Sequence, residues 1–262
     1  MVRVLTYCGA TDGGGRRNNE DAYNTVTIKH ASGNLHLLVV ADGLGGHAAG
    51  EVASKLAVIE LTETVKRKIS QPETMTMKTM KTLLKQGFKK ANDEICYQAK
   101  IAPERSNMGT TLVAALLRDD GTGVVANVGD SRAYLVGDRI SRVTVDHSYV
   151  QELVDRGIIT EDEAFDHPDK NIVTKMMGLK DVEPDLYEVK LGENVLLLSS
   201  DGLSDTMRDA EIRSVVSRSM KWDGMCKRLV EAALAKGAKD NVTVVMASVD
   251  RTVAFAKSHI LK

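Results

Sequence analysis

Apolar positions change their period several times along this chain, and each change marks a change of element. Residues 4–10 read as a short strand, Tyr23 to Ile28 alternates with Val26 and Ile28 on one face, and Leu37–Ala41 is an unbroken apolar run of the kind a buried strand shows. Ser32-Gly33-Asn34 is a turn, so 23–28 and 35–41 are expected to form a hairpin. Helical spacing follows: 48–70 carries Val52, Leu56 and Ile59 on one face and stops at Pro72, then Met77, Met80, Leu84, Phe88, Ala91 and Ile95 form a second stripe. Methionine fills irregular core gaps, so this stripe reads as packing rather than as a ligand surface. After Thr110 short β segments return at 111–117, 124–128, 133–136 and 140–145, with Asp119-Asp120-Gly121 and Gly137-Asp138 as turns. Residues 149–156 look helical. The polar stretch 157–185 is expected to be a mobile insertion, and two strands (186–190, 195–199), two helices (about 209–219 and 223–236) and a last strand (242–249) complete the chain.

This order is not the strand–helix alternation of a parallel sheet. It predicts the α+β class: two antiparallel sheets stacked as a sandwich, with helix pairs on the outer faces. No linker or low-complexity stretch divides residues 1–262, which read as one domain.

Composition narrows the possibilities. Lys+Arg number 35 against 36 Asp+Glu, so no one-signed field argues for nucleic acid or an anionic membrane. No apolar run approaches the ~20 residues of a membrane span. Cys8, Cys96 and Cys226 are odd in number and form no C-x-x-C pair, so they read as reduced structural thiols. With no signal-peptide core at the N-terminus, a cytoplasmic protein is expected.

The chemistry appears where strands end. Val39-Val40-Ala41-Asp42-Gly43-Leu44 and Leu197-Leu198-Ser199-Ser200-Asp201-Gly202-Leu203 share one design, an apolar strand running into Asp-Gly-Leu. Asp130 follows 124–128, Asp240 precedes the last strand, and Glu20-Asp21 opens 23–28. One such Asp is an ordinary turn residue. Five sites together imply crowded carboxylates, whose repulsion a cation must offset. An all-oxygen donor set favours a hard ion such as Mg²⁺ or Mn²⁺, with the Gly43 carbonyl as a further donor. The six histidines form no zinc motif. Arg16 and Arg17 lie just before Glu20, where a guanidinium could grip an anionic substrate. Gly43-Leu44-Gly45-Gly46-His47-Ala48 also fits a loose dinucleotide-binding pattern, but the preceding hairpin and the charge of Asp42 argue against it.

The motifs Arg16…Asn19-Glu20-Asp21, Ala41-Asp42-Gly43-Leu44-Gly45-Gly46-His47, Met108-Gly109-Thr110-Thr111, Asn127-Val128-Gly129-Asp130-Ser131-Arg132, Asp146-His147-Ser148, Ser200-Asp201-Gly202 and Asp240-Asn241-Val242-Thr243 stand in one order along nearly the whole chain. Together they resemble the metal-dependent serine/threonine protein phosphatases of type 2C, in particular the bacterial single-domain branch. The resemblance implies an αββα sandwich around two Mn²⁺ or Mg²⁺ ions. Asp42 would bridge both, the Gly43 carbonyl would complete one, and Asp201 and Asp240 would hold the other. Glu20 and Asp21 would act on a metal directly or through water, and Asp130 with Asp201 would hold a weaker third ion. Arg16 would hold phosphate, His47 would protonate the leaving group, and residues 147–185 would form a flap governing substrate access. The implied substrates are phosphorylated proteins, those of a serine/threonine kinase, and a monomer is expected. A catalytically silent relative, acting as a phosphoprotein-binding or regulatory module, is the alternative; such proteins lose metal ligands, and here every matched position is filled.

Overall fold

The computed structural model describes residues 4–44, 48–69, 74–218, 222 and 224–250. Its strands are β1 (Val4–Asp12), β2 (Ala22–Ile28), β3 (Leu35–Ala41), β4 (Gly43–Leu44), β5 (Gly109–Thr110), β6 (Leu112–Arg118), β7 (Thr122–Val128), β8 (Arg132–Val136), β9 (Ile140–Arg142), β10 (Asp185–Lys190), β11 (Val195–Ser199) and β12 (Val242–Asp250). The helices are α1 (Ala48–Ile69), α2 (Met77–Ile101), α3 (Tyr149–Asp155), α4 (Glu161–Phe165), α5 (Asp201–Ser204), α6 (Asp209–Arg218) and α7 (Met225–Ala235). Two five-stranded antiparallel sheets, ordered β1-β12-β11-β8-β9 and β10-β7-β6-β3-β2, form the centre, and β4 pairs with β5 beside them.

Three apolar layers make this the four-layer αββα sandwich. Between the sheets, Leu38, Val40, Val113 and Val125 meet Leu5, Leu196, Leu198 and Val245. Alternate residues of the same strand β3, Leu37, Val39 and Ala41, face outward onto α1 and α2. Side chains alternate across a strand, so β3 is apolar throughout because both its faces are covered. On the opposite side Leu197, Val244 and Met246 pack against Ile212, Leu229 and Ala233 of α6 and α7. The 23–28/35–41 hairpin forms as expected, in the register Ala22↔Ala41 to Ile28↔Leu35.

Several expectations need correction. The buried face of α1 is Ala53, Ala57, Leu61 and Val65, while Ile59 is 55% exposed. The i, i+4 row of small residues lets the helix settle close to the sheet, and it places Ile59 on the far side. The strand expected at 140–145 ends at Arg142. The 157–185 stretch is not bare loop: it contains α4, whose Thr160 and Glu163 form a capping box, and it is bridged by the pairs Thr110↔Met177 and Ser148↔Val173. Cys8 and Cys226 are joined in a disulfide, Cα atoms 6.1 Å apart, and only Cys96 is free. β1 packs on α7 across 218 positions, a contact that no cysteine spacing encodes. A cytoplasmic location therefore loses the support it drew from reduced cysteines. The expected Pro72 stop lies outside the described residues. Among the described residues no helix is long and apolar enough to cross a membrane.

Candidate metal centre

Antiparallel pairing explains why the acidic residues meet. Asp42 follows the C-terminal end of β3, and Asp21 precedes the N-terminal end of its neighbour β2, where Ala22 faces Ala41. Asp201 follows β11 and Asp240 precedes its neighbour β12, where Ser199 faces Val244. Asp130 follows β7. Reversing the strand direction at each pairing brings all these termini to one edge of the sandwich, where the two sheets present their carboxylates to one another.

Main-chain contacts fix the acids in place. The Asp42 N–H donates to Thr111 Oγ1 (3.0 Å), and its C=O accepts from the Thr111 N–H (2.9 Å) and Thr110 Oγ1 (2.7 Å). Ser200 Oγ donates to Asp21 Oδ2 (2.8 Å) and accepts the Thr243 N–H (2.9 Å). Asp201 is the first residue of α5, and its C=O accepts the Asp205 N–H (2.7 Å). The residues Thr110, Thr111 and Ser200 were present in the sequence motifs without a role; they are positioning groups.

Electrostatically the cluster is under strain. Burial, and then the charges of Asp21, Asp201 and Asp130, push the Asp42 carboxyl well above its ordinary range. Burial and the neighbouring Asp130, Asp205 and Asp240 do the same to Asp201. Asp42, Asp201 and Asp21 lie close enough to raise one another's pKa, and ionised carboxylates so placed repel unless a proton or a cation lies between them. Burial raises Asp21, 7% exposed, to about 6. Burial and the charge of Asp146 raise Asp130, 8% exposed, to about 7. Asp21 Oδ1 and Asp201 Oδ1 are buried with no hydrogen-bond partner. Among the described residues no three acidic, His or Cys side chains already close into a finished cage. The fit to a cation rests on donor chemistry: mutually repelling carboxylates and two orphaned oxygens suit a hard divalent ion.

Gly43 and Glu20 meet at the start of α1. A Cβ on Gly43 would lie 2.3 Å from the Gly50 carbonyl oxygen and 2.7 Å from that of Glu20, and one on Gly50 would lie 2.1 Å from Glu20 Oε2. Gly43 does not have positive φ; it is glycine because backbones meet there, and its N–H and C=O belong to the β4–β5 ladder region opposite Thr110. His47 lies outside the described residues.

Arg16 turns toward the acids. Arg16 Nη2 donates to Asp240 Oδ2 at 2.6 Å, and the charges of Asp240, Asp201 and Asp42 raise its pKa further. Its side chain is 61% exposed and so stays accessible to a solvent-borne anion. The loop carrying it is held by one residue that sequence reasoning passed over. Asn241, 4% exposed, donates from Nδ2 to the carbonyls of Gly13 and Asn18 (both 2.9 Å) and accepts the Glu20 N–H at Oδ1 (2.8 Å). Its position beside Asp240 in the motif was the only available signal.

On the Asp130 side, Arg132 forms a two-pronged ion pair with the buried Asp146, with Nε and Nη2 at 2.9 and 2.7 Å from Oδ2. A cavity of about 300 Å³ opens there, lined by Asp130, Asp201, Asp205, Lys170 and Arg208. It joins the carboxylates to the 147–185 segment.

A sequence model described as protein phosphatase 2C matches residues 9–242. The chain is 35% identical over 240 residues to the serine/threonine phosphatase stp of Listeria monocytogenes, spanning 90% of this chain and 92% of that protein. Its fold superposes on the crystal structure of serine/threonine phosphatase Stp1 from Staphylococcus aureus with a TM-score of 0.85 at 39% identity, covering 94% and 96% of the two chains. The catalytic domain of serine threonine protein phosphatase PstP in complex with two manganese ions gives a TM-score of 0.80 at 35% identity, covering 94% and 99%.

Proposed function

This chain belongs to the protein phosphatase 2C family, and on that premise we propose that it hydrolyses phosphoserine and phosphothreonine in proteins at a two-metal centre. The observation that carries the reading is the meeting of Asp21, Asp42, Asp130, Asp201 and Asp240 from two sheets at one edge, with Arg16 among them. Asp42, the Gly43 carbonyl, Asp201 and Asp240 would hold two ions, Mn²⁺ or Mg²⁺, with Asp42 common to both. Glu20 and Asp21 would act on the ions directly or through water, and Asp130 with Asp201 would hold a weaker third. When bound, the ions lower the pKa of water and neutralise phosphoryl charge. Arg16 grips two phosphoryl oxygens through its planar fork. Attack is in line with the leaving serine or threonine oxygen, and that oxygen leaves with a proton from His47 or from water. The water oxygen ends on phosphorus and the P–O bond to the side chain breaks, so no phosphoenzyme forms. Residues 1–262 act as one catalytic domain, on proteins phosphorylated by a serine/threonine kinase.

The test is Mn²⁺-dependent phosphate release from a phosphothreonine peptide, with and without chelator. Asp42→Asn is expected to lower kcat/KM by about 10³-fold or more. Near-normal turnover in that variant overturns the two-metal assignment. Tight peptide binding by the parent protein with no release in Mn²⁺ or Mg²⁺ makes it a binding module instead.

A further inference from the structure

His147 stands at the root of the 147–185 segment and makes contacts that the phosphatase reading leaves unexplained. The Gly129 N–H donates to its Nδ1 at 2.9 Å, and the His147 N–H donates to the Gly129 C=O at 3.1 Å. Asn127 Nδ2 adds a second bond to that carbonyl, at 3.0 Å. Gly129 immediately precedes Asp130. It has φ +105, and a Cβ there would meet Thr111 at 2.7 Å, so the turn has little room to relax.

The remaining ring nitrogen points the other way. A backbone N–H can only donate, so Nδ1 must carry a lone pair and the proton resides on Nε2. Nε2–H therefore donates to Asp185 Oδ2 at 3.2 Å, and Asp185 Oδ1 accepts from Lys175 at 3.0 Å. Asp185 is where the segment returns to the sheet as the first residue of β10. The His147 carbonyl accepts the Thr174 N–H at 2.8 Å, so three points of the segment converge on this residue.

We propose that His147 is a positioning residue whose neutral Nε2–H imidazole locks the Gly129–Asp130 turn to both ends of the 147–185 segment. The seating of that segment and the aim of the Asp130 carboxylate are then one coupled unit. Which residues cover the cavity at Asp130 and how firmly Asp130 serves a cation are set by the same two hydrogen bonds. The consequence for metal holding rests on the phosphatase reading; the coupling itself does not.

Two conservative variants separate the two halves of the contact. An asparagine oxygen sits at the same bond distance from Cβ as Nδ1, so His147→Asn keeps the acceptor for Gly129 and loses Asp185. A glutamine amide reaches the Nε2 position, so His147→Gln keeps Asp185 and loses Gly129. In the full chain, amide exchange at Gly129 is expected to quicken about tenfold in His147→Gln and to stay near the parent rate in His147→Asn. Affinity for the most weakly held Mn²⁺, read from the free-ion resonance, is expected to fall about tenfold in His147→Gln only. Two-bond ¹H–¹⁵N spectra of the parent are expected to show an unprotonated Nδ1. Melting curves show whether each variant is folded, and if one is not, the parent tautomer and the other variant still decide. A protonated Nδ1, or equal Gly129 exchange in both variants, overturns the proposal. If no protein in the series releases phosphate, the phosphatase reading fails while the exchange and tautomer results still decide the coupling.

Discussion

Removing divalent cations should invert the usual pH dependence of this protein's stability. Asp21 and Asp130 are raised from 3.8 to about 6 and about 7 in the folded chain. A group with a raised folded pKa holds its proton more tightly when native, so its contribution is present below pH 3.8 and is lost as pH rises through the folded value. At about 1.4 kcal/mol per pH unit, the cost above pH 7 is about 3 kcal/mol for Asp21 and about 4 kcal/mol for Asp130. The two share neighbours and do not add in full, so 3–7 kcal/mol brackets them, roughly a 10 °C fall in Tm for a chain of this size. Asp185, with a folded pKa below 3.8, gives no slope between pH 4.5 and 7. His147, held below 6.5 by burial, acts in the opposite sense near pH 6. The useful quantity is therefore the difference in Tm between Mn²⁺-loaded and chelated protein at each pH, which cancels His147 and should widen from pH 5 to about 7 and then level off. Asp42→Asn sharpens the test: a neutral amide in the cluster should stabilise the chelated protein at pH 8 while abolishing the Mn²⁺ gain. A difference that is flat with pH refutes the clustering.

Other substitutions address single contacts. Arg16→Ala should raise KM for a phosphothreonine peptide about tenfold, and Arg16→Lys should not restore it, because a point charge lacks the two-pronged grip. Asn241→Ala should weaken inhibition by inorganic phosphate about tenfold through release of the 13–20 loop, with far-ultraviolet dichroism unchanged. Gly50→Ala improves helix propensity yet places a methyl on Glu20; Mn²⁺ titration should show weaker binding even if the melting temperature rises. Reducing the Cys8–Cys226 bond reopens a 218-residue loop, worth at most about 5 kcal/mol by chain entropy; Cys8→Ser should lower the melting temperature and remove its response to reductant.

The strands and the acids at their ends were legible because burial on both faces leaves an apolar run that a charge terminates abruptly. Leu35–Ala41 followed by Asp42 is the clearest instance. The α1 face was misread at Ile59, since alanine spacing carries less hydrophobic signal than isoleucine although it decides how closely the helix packs. The Cys8–Cys226 bond and the Asn241 clamp join positions more than 200 residues apart and have no local pattern. The requirement for glycine at Gly43 was visible, but its cause, the approach of Gly50 and Glu20, was tertiary.

The way these acids are held has a chemical logic. A carboxylate fixed by hydrogen bonds to its own oxygens has a lowered pKa and fewer lone pairs for a cation. Arg16 and Ser200 do bond the carboxylates of Asp240 and Asp21, but several positioning bonds fall on the main chain instead: Thr110 and Thr111 on the Asp42 peptide, Asn241 on the Glu20 N–H, His147 on Gly129 beside Asp130. The hydroxyls, amides and neutral imidazole that do this carry no net charge, so they add nothing to the repulsion and take no oxygen from the site. The acids stay fixed yet underneutralised, and orphaned oxygens on Asp21 and Asp201 are the result. Such a cluster costs stability until a cation arrives, and its need for one grows as pH rises.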